Sequence, residues 1–377
     1  MSQPVQAPDS RSQRLFHLPV PFGLEGGGLL HDLTLSYETW GALNDAGDNA
    51  VFLCHALTGG PHAASHGPQD EPGWWEGLMG PGRTLDPSRY FLVCANVPGG
   101  CYGSTGPGST DPERGKPYGA SFPVVTTRDA VRAFKSLLDH LGVRRLALVL
   151  GGSLGAMLAW QWAVQYPDFV AAAVPIAGPF RATAWSIALN SVARRAIELD
   201  PAWRQERYEG NGPERGLALA RAIAMISYRS EPLFEERFGR ERLEPEAAAR
   251  LSASNPFQVE RYLGHQGEKL VRRFDARSYV ALTRMMDLHD ASAGFASPEE
   301  AMAAIRAEVM IVGIDSDVLF APGALRATAE RLVALGVRSS YAELTSPFGH
   351  DAFLVETAVL DGLLRRFLAK RSPPCAS

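Results

Sequence analysis

The sequence predicts an α/β fold, in which a mostly parallel sheet carries helices on both faces and is interrupted by one helical insertion. Three observations predict it. Short apolar and β-branched runs recur along the chain with helical patterns between them. Several of these runs are apolar throughout rather than alternating, as strands covered on both faces should be. Between about Arg181 and Arg306 the helical patterns continue without a convincing strand.

Taken in order, residues 1–29 read as an N-terminal lead-in and the first edge of the core. The opening "MSQPVQAPDSRSQR" lacks the apolar stretch of a secretory signal and reads as disordered. Residues 30–180 form the first part of the core, with strands expected at Leu33–Trp40, Val51–Ala56, Tyr90–Asn96, Leu146–Leu150 and Ala171–Gly178. One helix is easy to place. Thr126 and Asp129 form a capping-box pattern, Ala130, Phe134, Leu137, Leu138 and Leu141 follow at helical spacing, and Gly142 ends it.

The apolar run "LALVLGGSLGAMLAWQWA" follows the cations Arg144 and Arg145 and is broken by Gln161, so it reads as core strand then core helix, not a membrane span. Residues 181–306 form the insertion, with "GLALARAIAMISY" and "RSYVALTRMMD" as its clearest helices. Its place in the order suits a lid over the strands' carboxyl ends, where ligands bind in such sheets. Residues 307–377 complete the core, with strands at Glu308–Ile314 and Ser340–Leu344.

At 377 residues, 46% hydrophobic and 21% charged, the chain is long enough to bury a sizeable core. A net charge of -4 argues against a nucleic-acid binder, which needs a basic face to release counterions. Cys54, Cys94, Cys101 and Cys375 show no CxxC pairing, which fits a reduced cytoplasm, and Cys54 and Cys94 lie in strand-like runs where a thiol acts as a small hydrophobe.

Gly151 to Gly155 spell G-x-S-x-G, directly after one expected strand and directly before one expected helix. That context is the nucleophile elbow, a sharp turn that needs small neighbours around its serine, Ser153. A serine hydroxyl is a poor nucleophile until a base takes its proton, so a histidine is required, with an acid to orient it. In this fold the chain order is Ser, acid, His. His350 alone follows the last expected strand and is the base by elimination. Asp315 and Asp317 both follow the strand before it, and topology alone does not choose between them. The oxyanion needs two backbone N–H donors, one from Leu154 and the other from the loop around Leu57 and Thr58. His55, His62 and His66 invite a metal reading, with His62 and His66 four residues apart. No HExxH glutamate or acidic ligand set accompanies them, so no metal is expected.

With these residues in hand, the sequence resembles the homoserine O-acetyltransferase family of α/β-hydrolase-fold enzymes from about Leu33 to Phe367. The motifs that carry the resemblance are "CHALTGG", "GWWEGLMGPG", "CYGSTGP", "GGSLGAM", "ALARAIAMISYRS", "GEKLVRRFDARSYVALTRMMD", "GIDSDVLF" and "FGHDAFLVE". It implies Ser153 as nucleophile, His350 as base and Asp317 as acid, with Leu57 and Leu154 as oxyanion donors. It also implies that Arg221, Tyr228 and Asp351 hold the amino-acid substrate: a guanidinium suits the carboxylate and Asp351 the ammonium. Without it, Arg221 and Tyr228 on one helical face read as stabilising the insertion. Ala156 departs from the pattern, standing where the family usually has a second glycine.

The implied activity is acetyl transfer from acetyl-CoA, a co-substrate rather than a bound cofactor, to L-homoserine in methionine biosynthesis. The implied partners are these small molecules, with no nucleic acid and no membrane, in a cytoplasmic homodimer. Rival readings keep the triad and exchange the donor for succinyl-CoA or the acceptor for serine, or make the chain an esterase-like hydrolase; a non-catalytic binding module is more remote.

Overall fold

The computed structural model describes residues 12–204, 212–243 and 256–370. Its main sheet has eight strands: β1 (Arg14–His17), β2 (Thr34–Trp40), β3 (Ala50–Cys54), β4 (Phe91–Ala95), β5 (Leu146–Gly152), β6 (Ala172–Ile176), β7 (Glu308–Ile314) and β8 (Ser339–Leu344). Their order across the sheet is β1-β2-β4-β3-β5-β6-β7-β8. From β4 to β8 every neighbouring pair is parallel, while β2 runs antiparallel to both β1 and β4.

The strands that read as unbroken apolar runs are buried on both faces. Phe52, Val93, Val149, Ala173 and Ile311 join one core cluster, and their neighbours Leu53, Leu92, Leu150, Val174 and Val312 join the other. The first cluster is closed by α1 (Thr127–His140), α2 (Leu154–Gln165) and α9 (Pro322–Ala334), and the second by α10 (Ala352–Val355) and α11 (Thr357–Ala369). α1 starts at a full capping box: Thr126 Oγ1 accepts from Asp129 N, and the Asp129 carboxylate accepts from Thr126 N. Such a cap is worth about 1 kcal/mol. Beyond it Gly142, with φ 80°, supplies the left-handed turn.

Among the described residues six α-helices lie between β6 and β7: α3 (Ala184–Glu198), α4 (Glu214–Tyr228), α5 (Glu231–Phe238), α6 (Gln258–Val271), α7 (Ala276–Asp287) and α8 (Pro298–Ala303). α4 packs against α3 and α6, and also touches the one-turn 3-10 helix Gly349–Asp351 that carries His350.

Two details differ from expectation. The lead-in does not stay irregular to its end: Arg14 opens β1, and the Gln13 side chain donates to Tyr102 O at 3.1 Å. "RLFH" escapes notice because a four-residue edge strand, mostly exposed, needs no apolar run. The earlier lead-in residues and Cys375 lie outside the described residues. The strand expected to end at Leu150 runs on to Gly152 and so reaches the serine.

Candidate active site

Ser153 is the single residue between β5 and α2. Its φ of 61° and ψ of -119° place a non-glycine residue in the left-handed half of backbone space, a strain of about 1–3 kcal/mol. Close packing enforces the small neighbours. A Cβ on Gly151 would lie 2.4 Å from the Cys54 carbonyl oxygen, and one on Gly155 would lie 2.1 Å from the same atom. A Cβ on Gly152 would lie 2.3 Å from the Phe353 ring. The departure at Ala156 is absorbed across the turn by Gly178, where an added Cβ would meet Ala156 Cβ at 2.5 Å. Ser153 N–H donates to Ile176 O at 3.0 Å, which pins the elbow to β6.

His350 is buried, and its Nδ1 is 2.7 Å from Asp317 Oδ2. The other carboxylate oxygen of Asp317 accepts from Leu319 N at 2.7 Å and Phe320 N at 3.0 Å. A charged carboxylate facing Nδ1 puts the ring proton there and leaves Nε2 to accept one. That Nε2 is buried and has no hydrogen-bond partner among the described residues. Burial opposes a charged ring, but the Asp317 charge and its hydrogen bond outweigh burial and hold the His350 pKa above the ordinary 6.5. Asp315 does something else: its Oδ1 accepts from Ser346 N at 3.0 Å and fastens the loop that leads to His350. The structure thus separates two aspartates that topology left equivalent.

Leu154 opens α2, so its N–H has no intrahelical acceptor. The Ala56–Leu57 peptide is held from its carbonyl side. Val97 N–H donates to His55 Nε2 at 3.0 Å, which leaves His55 Nδ1 to donate to Ala56 O at 2.8 Å. Burial holds the His55 pKa down at about 4, against the hydrogen bonds that raise it, so the ring is neutral near pH 7. In a trans peptide the N–H points opposite to the carbonyl, so fixing Ala56 O aims the Leu57 N–H. The sequence flagged His55 only as a metal candidate; this part of its role depends on Val97, which pairs with it from another loop.

The insertion brings Arg221 and Tyr228 to the same place. The Arg221 guanidinium lies 5.5 Å from the centre of the Tyr228 ring, and that ring lies 5.5 Å from the His350 ring. Burial and the Asp351 charge push the Tyr228 pKa up to about 12, against Arg221, so its hydroxyl stays protonated. Asp351 is paired with Arg229 Nη2 at 3.2 Å. Arg229 was missed in the sequence although it follows Tyr228, because its partner lies far along the chain. Beside the loop after β3 opens a cavity of about 560 Å³, lined among others by Thr58, Gly60, Trp74, Tyr102 and Arg273.

His62 and His66 do find an acidic partner, one the sequence left hidden on β2. His62 Nδ1 and His66 Nε2 each lie 2.9 Å from Glu38 Oε2, and these are metal-ligating atom types within 4.8 Å of one another. His62 Nε2 in turn donates to Glu71 O at 2.7 Å. With a hydrogen bond on each nitrogen, His62 is held as an imidazolium: the Glu38 bond, against partial burial, raises its pKa to about 9. The cluster closes as a hydrogen-bonded ion pair.

Known proteins share this fold. Residues 49–357 match the family described as alpha/beta hydrolase fold. The homoserine O-acetyltransferase of Symbiobacterium thermophilum is 49% identical over 97% of this chain and 96% of its own length. That of Moorella thermoacetica is 48% identical over 94% and 95%. The crystal structure of homoserine O-acetyltransferase from Bacillus anthracis superposes with a TM-score of 0.89 at 29% identity, covering 96% of this chain and 98% of that one. The crystal structure of esterase E22 superposes with a TM-score of 0.85 at 27% identity, covering 94% and 99%. A serine on a strained elbow, a buried Asp–His pair and relatives of this identity and coverage lead to one conclusion: the chain belongs to the homoserine O-acetyltransferase family, within the alpha/beta hydrolase fold.

Proposed function

We propose that the chain transfers the acetyl group of acetyl-CoA to the hydroxyl of L-homoserine by a ping-pong mechanism, giving O-acetyl-L-homoserine for methionine biosynthesis. One observation carries this reading above the others. His350 Nε2, without a partner among the described residues, belongs to a ring that faces Tyr228 of the insertion, with Arg221 and Asp351 close to that tyrosine. A triad-type base thus meets charges suited to an amino acid.

In the first half-reaction His350 Nε2 takes the Ser153 Oγ proton as Oγ attacks the thioester carbonyl. The oxyanion of the tetrahedral intermediate sits between the N–H groups of Leu57 and Leu154. The C–S bond breaks, and CoA leaves with the proton returned by His350. In the second, the homoserine hydroxyl gives its proton to Nε2 and attacks the acetyl ester, and Ser153 Oγ leaves with that proton. Arg221 pairs the acceptor's carboxylate and Asp351 its ammonium, with Arg229 holding Asp351 in place beforehand. The insertion excludes water, which would otherwise turn transfer into hydrolysis. The reading needs neither a resident cofactor nor a metal.

The test is free-thiol release from acetyl-CoA and from succinyl-CoA, each with homoserine, serine or no acceptor. Release that needs homoserine, prefers acetyl-CoA and disappears in Ser153→Ala is the expected result. Preference for succinyl-CoA or serine would move the substrates while keeping the triad. Equal release without any acceptor would make the chain a hydrolase, the activity named for its esterase neighbour.

The same reading places the enzyme in the cytoplasm as a homodimer joined through the insertion. Supporting the dimer, Trp185, Val192 and Leu199 are exposed at seven-residue spacing along α3 and its end, and Leu219 and Ile226 are exposed at the same spacing on α4. Among the described residues no helix is long and apolar enough to cross a membrane. Light scattering should give twice the chain mass for the unsubstituted protein and the monomer mass for Val192→Glu with Leu219→Glu. A monomer before substitution would end the dimer proposal.

A further inference from the structure

Arg273 stands in the turn between α6 and α7 of the insertion, yet among the described residues its side-chain hydrogen bonds all go to the core. Nη1 donates to Thr58 O at 2.7 Å and to the Tyr102 hydroxyl at 2.8 Å, and Nη2 donates to Thr58 Oγ1 at 3.2 Å. It has no carboxylate partner among the described residues and is only partly exposed. A guanidinium taken from water without a counter-ion is unfavourable unless its donors are well used. Here both terminal nitrogens are used on the loop that follows β3, one residue past Leu57.

The site around it is closely packed. Tyr102 is buried, its ring meets Phe274 edge-on with centres 5.8 Å apart, and a Cβ on Gly60 would lie 3.0 Å from that ring. Thr58 is therefore held through both its carbonyl and its hydroxyl by a side chain that is itself seated against a fixed tyrosine. On the other side of Leu57, His55 holds Ala56 O. The two residues that flank Leu57 are thus anchored independently, one by the core and one by the insertion.

We propose that Arg273 is a positioning residue for the oxyanion site: by clamping Thr58 it keeps the Leu57 N–H aimed at the developing oxyanion, so that rapid acylation of Ser153 requires the insertion to be docked. The proposal rests on the acyl-transfer reading above. It couples the element that encloses the acceptor to the chemistry on the donor. It also predicts an effect on a small ester that never touches the insertion's substrate-binding charges.

The experiment compares the unsubstituted full chain with Arg273→Ala and Arg273→Lys, using p-nitrophenyl acetate to follow Ser153 acylation and acetyl-CoA with homoserine to follow turnover. Loss of a whole oxyanion donor lowers kcat by roughly 10²–10³-fold, so a misaimed donor should lower both acylation and kcat by about 10–100-fold in Arg273→Ala. KM for acetyl-CoA should change by less than about twofold, since uniform binding is untouched. The pH limb set by His350 should stay in place. Arg273→Lys, which keeps the charge but not the fork, should fall between, and added guanidinium ion should restore part of the Arg273→Ala rate.

A raised KM for acetyl-CoA with unchanged ester acylation would make Arg273 a donor-binding residue and overturn the proposal. So would unchanged rates in both variants, or a rate loss that merely follows a lowered melting temperature and is not rescued by guanidinium. Failure of the unsubstituted chain to be acylated by the ester would overturn the triad reading and this proposal with it.

Discussion

Asp317→Asn lowers acceptor-dependent thiol release by about 10⁴-fold, the loss seen when a triad aspartate becomes an amide in a serine protease, while Asp315→Asn leaves it within about twofold. The difference follows from what each carboxylate faces. At position 317 an amide still accepts from Leu319 and Phe320 N–H, but turns its NH₂ toward His350 Nδ1. The imidazole then carries its proton on Nε2 and has no lone pair for Ser153. At position 315 the amide oxygen still accepts from Ser346 N–H, so the loop keeps its fastening.

The pH dependence separates the two further. His350 must be neutral to act as base, so the unsubstituted rate rises with pH through a pKa above 6.5, because Asp317 outweighs burial. Without the Asp317 charge burial is less opposed, and the residual rate of Asp317→Asn should rise at a lower pH. The measurement is kcat/KM from pH 5 to 9 for both variants. An unmoved limb in Asp317→Asn, or an equal loss in Asp315→Asn, would remove Asp317 from the role of acid.

Gly155→Ala should be the most destabilising single-methyl change at the elbow, whereas Ala156→Gly, one residue on, should be mild. The Gly155 methyl would lie 2.1 Å from Cys54 O and 2.9 Å from Cys54 C, backbone atoms at the end of β3 that have no rotamer to yield. Overpacking of this kind costs about 3 kcal/mol, roughly 4 °C in melting temperature for a chain of 377 residues. β3 also leads into the loop that holds Leu57, so whatever protein folds should be slow as well as unstable. Removing the Ala156 methyl, which stands beside Gly178, costs about 1 kcal/mol of helix propensity and brings no new atom against the backbone. Thermal melts of the two variants decide the matter. Equal melting temperatures would mean that the glycine is not imposed by β3.

How much of this was legible in the chain depends on how far apart the interacting residues lie. The core strands announced themselves because burial on both faces requires uninterrupted apolar residues, and the α2 run "LGAMLAWQWAV" did so because that helix is buried on every side. Ser153 and its glycines were legible for a related reason: the elbow's steric demands act on consecutive residues. The acid was only narrowed to Asp315 or Asp317 by residue chemistry, and the resemblance chose between them.

β1 stayed hidden because an exposed edge strand carries no apolar signature. Glu38, lying between two imidazoles, and Arg229, holding Asp351, also stayed hidden. Both are polar residues whose partners come from other segments, and local sequence patterns register burial and turns but not distant hydrogen bonds. The chain's local order of apolar runs, glycines and one serine was therefore enough for the sheet, the elbow and the need for a base. The tertiary structure alone decided which nitrogen of His350 lacks a partner among the described residues, what Asp315 holds in place of the histidine and which side chains clamp Leu57's neighbours, because directional hydrogen bonds exist only once segments distant in sequence are brought within about 3 Å.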